Sequence, residues 1–181
     1  MSTTAPPLSL DALNALDCGG FVARLGGIFE HSPWVAERAL AARPFRTIGE
    51  LHSAMVRAMR AGSEAEKTAL LGAHPELAGR EAMTGRLTAD SKGEQKSAGL
   101  DRLDAVDMHR LAEGNAAYRA KFGFPFIVAA RARTKDEILA ELARRVGRGA
   151  AEERATALAE VEAIARIRLE RLLGASAATG V

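Results

Sequence analysis

The 181-residue chain is short of several things, and each shortage removes a class of explanation. It has a single cysteine, Cys18, so no intrachain disulfide can form and no thiolate zinc cluster is suggested. Beside Gly19, Gly20 and Phe21, this cysteine is expected to be a small packing residue rather than a nucleophile. Aromatic residues make up 4% of the chain, and β-branched residues are sparse beside Ala, Leu, Arg and Glu, which favours helix over sheet. No apolar run approaches the roughly 20 residues that a membrane-spanning helix needs, so no membrane association is expected. Charge of one sign is not concentrated anywhere. Twenty-five Lys and Arg face 23 Asp and Glu, a net charge of +2, interleaved as in Glu152-Glu153-Arg154 and Glu170-Arg171. Such runs read as solvated helix faces and not as a nucleic-acid footprint. Residues 1–9 have neither the charged start nor the apolar core of a secretory leader, so a cytoplasmic location is expected.

What is present is helix. With 48% hydrophobic and 27% charged residues the composition is that of a soluble globular protein, and the length suits one domain with a real core. The expected fold is all-α: a single-domain bundle of about eight helices over residues 10–173, with a flexible lead-in at 1–9 and a flexible tail at 174–181. A first helix is expected near Asp17, directing Phe21, Leu25, Ile28 and Phe29 inward, although its four glycines are costly in a helix interior. Ser32-Pro33 reads as a capping hydroxyl followed by proline at the first helical position. Thr47/Glu50, Ser63/Glu66, Ser91/Glu94 and Thr134/Glu137 each match the capping box, predicting helices over 48–61, 64–72, 92–98 and 135–146. Two longer helices are expected over 101–121, with Leu103, Val106, Leu111 and Tyr118 among its apolar positions, and over 150–173.

One segment breaks the helical pattern. Residues 124–129 hold an apolar run around Pro125, whose ring pushes the preceding residue toward extended geometry. An extended buried connector is expected here, and with no sheet beside it its backbone groups need other partners: side chains, water or a polar ligand.

The polar candidates each carry two readings. His74, before Pro75, is either structural or an acid/base; His31, His52 and His109 show no metal-ligand spacing, and no metal site is expected. Ser91 and Glu94 are either a cap or a functional pair, with Gln95 adding an amide. Arg168 sits in the apolar stripe of the last helix, beside Ile164, Ala165 and Leu172, and either snorkels to solvent or pairs with a buried anion.

Taken together, three blocks resemble the OHCU decarboxylase family. They are His74-Pro75-Glu76-Leu77-Ala78-Gly79, Ser91-x-x-Glu94-Gln95-x-x-Ala98-Gly99-Leu100, and Asn115-x-x-Tyr118-x-x-Lys121-Phe122-Gly123-Phe124-Pro125-Phe126-Ile127. Shorter matches extend the resemblance over residues 14–173, among them Phe29-Glu30-His31-Ser32-Pro33-Trp34-Val35 and Ile167-Arg168-Leu169. Members act on 2-oxo-4-hydroxy-4-carboxy-5-ureidoimidazoline (OHCU) and form (S)-allantoin in urate degradation. The resemblance implies an all-helical, cofactor-free and usually dimeric enzyme. It implies that His74 is the catalytic acid/base with Glu94 beside it. It also implies that Pro75, Ser91, Gln95, the backbone of Phe126, Ile127, Val128, Ala129 and Ala130, and Arg168 contact the ligand; Arg166 lies two residues from the last of these. The alternatives are an enzyme for another ureido or imidazolone compound on the same scaffold, and a non-catalytic helical binding module.

Overall fold

The structure, a computed structural model, describes residues 8–79, 82 and 84–174. Most of the expected lead-in and all but the first residue of the expected tail lie outside the described residues. Nine α-helices are found among the described residues, and none of those residues is in a strand. They are α1 (Leu10–Ala15), α2 (Cys18–Leu25), α3 (Trp34–Ala39), α4 (Ile48–Arg60), α5 (Glu64–Ala73), α6 (Ala89–Ser97), α7 (Ala105–Phe122), α8 (Lys135–Val146) and α9 (Ala150–Gly174). Single 3-10 turns follow α3 and precede α7 and α8, the last of them at Ala130–Ala132. The all-α expectation holds. The chain divides into two compact units, one of Met1–Leu70 with Ala165–Val181 and one of Leu71–Ile164.

Helix starts follow local chemistry, with corrections. Helix α1 was not expected; Ser9 caps it by accepting from Ala12 N, so a helix precedes the first one expected, near Asp17. Helix α2 ends at Leu25, short of Gly26 and Gly27, because the glycines make its continuation costly. Asp17 caps it and leaves Cys18 exposed at its first position, which overturns the packing role expected for that thiol. Ser32 does not cap α3: its hydroxyl donates to the Glu30 carbonyl instead.

The capping boxes divide as well. Those at Ser63/Glu66 and Thr134/Glu137 form in both directions. At Thr47 the hydroxyl accepts from Glu50 N, while the Glu50 carboxylate accepts from Arg46 N instead of closing the box. Helix α7 begins later than expected. Asp104 caps it, so Val106 falls on the outward side at 67% exposure, and Asp107 turns inward to an ion pair with Lys135.

The first unit is built on α3 against α4, with α2 across α3, around Leu13, Phe21, Leu25, Val35, Leu51, Met55 and Met59. In it Arg168 resolves its two readings. The guanidinium does not snorkel; it is buried at 2% exposure with Glu30, also at 2%, at 2.7 Å. Arg166 is 42% exposed and pairs with Glu170.

The second unit packs α7 against α8. Gly114 makes their crossing close, since a Cβ there would stand 2.5 Å from Leu142 Cδ2. Gly114→Ala is therefore expected to destabilise by about 1–3 kcal/mol, the usual range for an overpacked core. A urea unfolding midpoint equal to or above that of the parent would contradict this close approach.

Candidate active site

The expected site residues, Arg168 apart, all fall in the second unit. His74 follows α5 directly and starts the turn His74–Gly79, in which Ala78 takes a left-handed φ of 47°. A non-glycine residue held there costs energy that the surroundings must offset. Among the described residues, two side chains bond to the backbone of this turn. Gln95 Oε1 accepts from Ala78 N at 2.9 Å, and its Nε2 lies 3.5 Å from the Glu76 carbonyl. Asn115, from α7, donates Nδ2 to the Leu77 carbonyl at 3.0 Å.

Helix α6 begins one turn earlier than Ser91/Glu94 suggested. Its cap is Thr88, whose Oγ1 accepts from Ser91 N at 3.2 Å and bonds to Ser91 Oγ at 3.0 Å. Ser91 is therefore the third helical residue and Glu94 lies in the helix middle. Glu94 does not cap this helix, and the capping explanation for it is removed. Both side chains are buried, Ser91 at 3% and Glu94 at 9%, along with Gln95 at 6% and His74 at 6%. Burying polar groups of this kind is unfavourable unless each is hydrogen-bonded. Helix α6 also packs on the 3-10 turn at Ala130–Ala132, at the end of the connector.

The expected extended connector has no regular secondary structure over 125–129 and is buried as expected: Phe124, Phe126, Ile127, Val128, Ala129 and Ala130 are all at 6% exposure or less. Two of its backbone groups already have side-chain partners. The Ile127 carbonyl accepts from Arg145 Nη1 at 2.8 Å, and Ala129 N donates to Glu160 Oε2 at 2.8 Å. Arg145 in turn donates Nε to Glu153 Oε1 at 2.7 Å, and Tyr118 donates its hydroxyl to the same oxygen. Arg145, Glu153 and Tyr118 are all at 0% exposure. Burial, together with the Glu153 carboxylate, pushes the Tyr118 phenol well above its ordinary pKa. The acidic run at Glu152-Glu153 is thus not a uniformly solvated face. Glu153 anchors the connector through Arg145, while Glu152 is exposed. The edges of the Phe124 and Phe126 rings meet Tyr118 with centroids 5.8 and 5.4 Å away.

Two cavities border the turn. One of about 410 Å³ is bounded by Ala78, Leu87, Lys92, Gln95, Leu100 and Met108. The other, about 430 Å³, lies between the turn and α7, against Leu77, Ala78, Gly79, Leu111 and Asn115. Gln95 therefore borders a cavity while its amide bonds to the turn; His74 and Glu94 border neither of these two cavities. Among the described residues, no group of three or more His, Cys, Asp and Glu could hold a metal ion.

The order and spacing of the blocks that build this turn, helix and connector are those of one family. The family profile described as OHCU decarboxylase matches residues 14–170. The chain belongs to the OHCU decarboxylase family. A member from Haloferax volcanii, named 2-oxo-4-hydroxy-4-carboxy-5-ureidoimidazoline decarboxylase, is 44% identical over 162 residues, covering 90% of this chain and 94% of that protein. A Mus musculus protein of the same name is 41% identical over 163 residues, covering 90% and 92%. The crystal structure of an (S)-allantoin synthase superposes with a TM-score of 0.73 at 32% identity over 92% of this chain, which spans 54% of that longer one.

Sequence reading missed Asn115, Arg145 and Glu153 as site-building residues. Asn115 carried a signal: with Leu111 and Tyr118 it lies at helical spacing in a buried stripe, where an amide has no packing reason to be. The Arg145–Glu153 pair carried none, because it joins two helices across a turn.

Proposed function

We propose that the protein decarboxylates OHCU to (S)-allantoin in urate degradation, as a carboxy-lyase, through His74 and the buried face of α6. The observation that carries the residue assignment is the burial of four polar side chains, His74, Ser91, Glu94 and Gln95, in one unit, after capping is removed as a reason for Glu94.

The substrate has its hydroxyl and carboxylate on one ring carbon, next to a C=N carbon that bears the ureido group. As the C–CO2 bond breaks, its electron pair forms a double bond to that neighbouring carbon, and the imine π pair moves onto the ring nitrogen, which takes a proton. The electron sink is in the substrate, so the protein need not supply one. Its first task is to hold the breaking bond perpendicular to the imine plane. Its second is to deliver a proton to one face of the ureido-bearing carbon while the hydroxyl loses its proton and becomes a carbonyl. That face sets the S configuration.

His74 suits the proton transfer because an imidazole can both accept and donate a proton in general acid–base chemistry. Glu94 orients the imidazole or accepts the hydroxyl proton. Gln95 keeps a second N–H and a second lone pair for ring or ureido amides after its bonds to the turn. Phe126, Val128 and Ala130 give a desolvated wall with backbone groups, Pro75 shapes the turn beside the imidazole, and the Ser91 hydroxyl is a further ligand contact. Ile127 and Ala129 are counted with them, although one backbone group of each is already bonded within the protein. Arg168 enters as a substrate contact only through the resemblance, its charge already matched by Glu30. A tight grip on the leaving carboxylate would stabilise the ground state and slow its loss.

The reading includes a cofactor-free enzyme, acting as a homodimer in the cytoplasm. No helix among the described residues is long and apolar enough to cross a membrane. The test generates the unstable substrate in situ from urate and follows (S)-allantoin by circular dichroism. The expected result is acceleration over the protein-free control, undiminished by EDTA. Loss on chelation and recovery with zinc would overturn the cofactor-free step, and no acceleration would overturn the function.

A further inference from the structure

Asn115 has an odd balance of hydrogen bonds. Its Nδ2 donates to the Leu77 carbonyl at 3.0 Å, yet its Oδ1 is buried with no hydrogen-bond donor among the described residues. An unsatisfied buried amide oxygen costs stability. A residue kept only for packing would be apolar here, since Leu111 and Tyr118 flank it on the same face of α7 at 1% and 0% exposure. The Nδ2 bond fixes the amide orientation, because the reverse would set two oxygens against each other. What that bond holds is the carbonyl between Glu76 and Ala78, next to the left-handed residue. On its other side the turn is held by Gln95. Gly79 closes it so tightly that a Cβ there would stand 2.6 Å from Glu76 Cβ.

We infer that Asn115 is a positioning residue for the catalytic step: with Gln95 it clamps the His74–Gly79 turn and so fixes where the imidazole is presented. Its hydrogen bond is made to the turn itself. This inference rests on the decarboxylase reading for its kinetic arm and on the geometry alone for its exchange arm. Leucine at 115 removes the amide donor and the stranded oxygen together, so the two stability effects offset. Aspartate keeps the shape, loses the donor, and sets a carboxylate against the Leu77 carbonyl.

The experiment compares Asn115→Leu and Asn115→Asp with the parent by thermal unfolding, steady-state kinetics and amide hydrogen exchange. For Asn115→Leu the expected result is a melting temperature close to the parent's, kcat lower by about 10–100-fold, KM within about threefold, and faster exchange at Ala78 and Gly79. Asn115→Asp is expected to show the same exchange pattern with at least as large a fall in kcat. A merely structural role predicts the opposite split: a lowered melting temperature with kcat per folded molecule unchanged. Parent-like kcat in folded Asn115→Leu overturns the inference, as does unchanged exchange at Ala78 in both variants. If the parent itself forms no (S)-allantoin, the functional reading fails separately. The exchange arm and titration of the His74 imidazole by NMR then decide whether Asn115 holds the turn.

Discussion

His74→Asn is expected to fold like the parent and to lose about 10²–10⁴-fold in turnover, the usual contribution of a general acid–base group. His74 follows the last residue of α5 and precedes Pro75, so the position lies outside the helix interior and asparagine can occupy it. The side chain is buried, and asparagine is smaller and polar, so it fits and keeps a donor. It cannot exchange a proton near neutral pH. The bonds that hold the rest of the turn, from Gln95 and Asn115, do not involve the imidazole. Binding of (S)-allantoin, the reaction product, should therefore fall far less than turnover. The check is circular dichroism for stereospecific product and calorimetry for allantoin binding on the same preparation. Retained stereospecific turnover in a folded His74→Asn protein would sink the assignment and make Glu94 the leading proton donor.

Where sequence alone succeeded and failed follows the range of the interactions. Helices with strong local signals came out close to their bounds: α4 and α8 have a capping threonine at their starts and amphipathic faces behind them. The connector was legible because Gly123 and Pro125 cannot extend a helix, and its chemistry follows from that single fact. Helix α6 was misplaced by one turn because Ser91 and Glu94 match a capping pattern, whereas Thr88 supplies the cap without an acid three residues on. A cap needs only the hydroxyl; the returning carboxylate is optional.

That slip mattered, since it kept a bland role available for Glu94 that the helix denies. Glu153 and Arg145 show the other limit. Each looks like an ordinary surface charge in its own helix, and only their meeting across the turn between α8 and α9 makes them a buried pair. Such a pair is costly to desolvate; the Tyr118 hydroxyl and the Ile127 carbonyl add hydrogen bonds to it, while Glu153 Oε2 has no hydrogen-bond partner among the described residues and stands 3.7 Å from Arg148 Nη1. Arg168 and Glu30 are more distant still in sequence, and the stripe of apolar neighbours around Arg168 could mark it as unusual but could not name its partner.

Glu94→Gln should separate activity from stability more cleanly than any other change to α6. If Glu94 capped its helix, losing the carboxylate would cost helix stability and little else. Thr88 holds that cap, so the helix start does not depend on residue 94. Glutamine is close in size to glutamate and still offers an acceptor oxygen, so the buried position remains filled. Neutralising a carboxylate at 9% exposure also removes a desolvation penalty, which offsets part of any lost hydrogen bond. The melting temperature is therefore expected to stay within a few degrees of the parent's. Turnover is expected to fall by about 10²-fold or more, because an amide can neither accept a proton near neutrality nor favour the imidazolium form of a neighbouring histidine. The two roles left open for Glu94 are then told apart by pH. If the carboxylate orients His74 and favours its protonated form, its loss lowers the pKa that governs the residual rate. If it takes the hydroxyl proton, the ionisation of a carboxylate disappears from the acid limb of the profile and the imidazole pKa stays in place. A folded Glu94→Gln protein with parent-like turnover would contradict both roles and leave His74 as the single titratable group of the site.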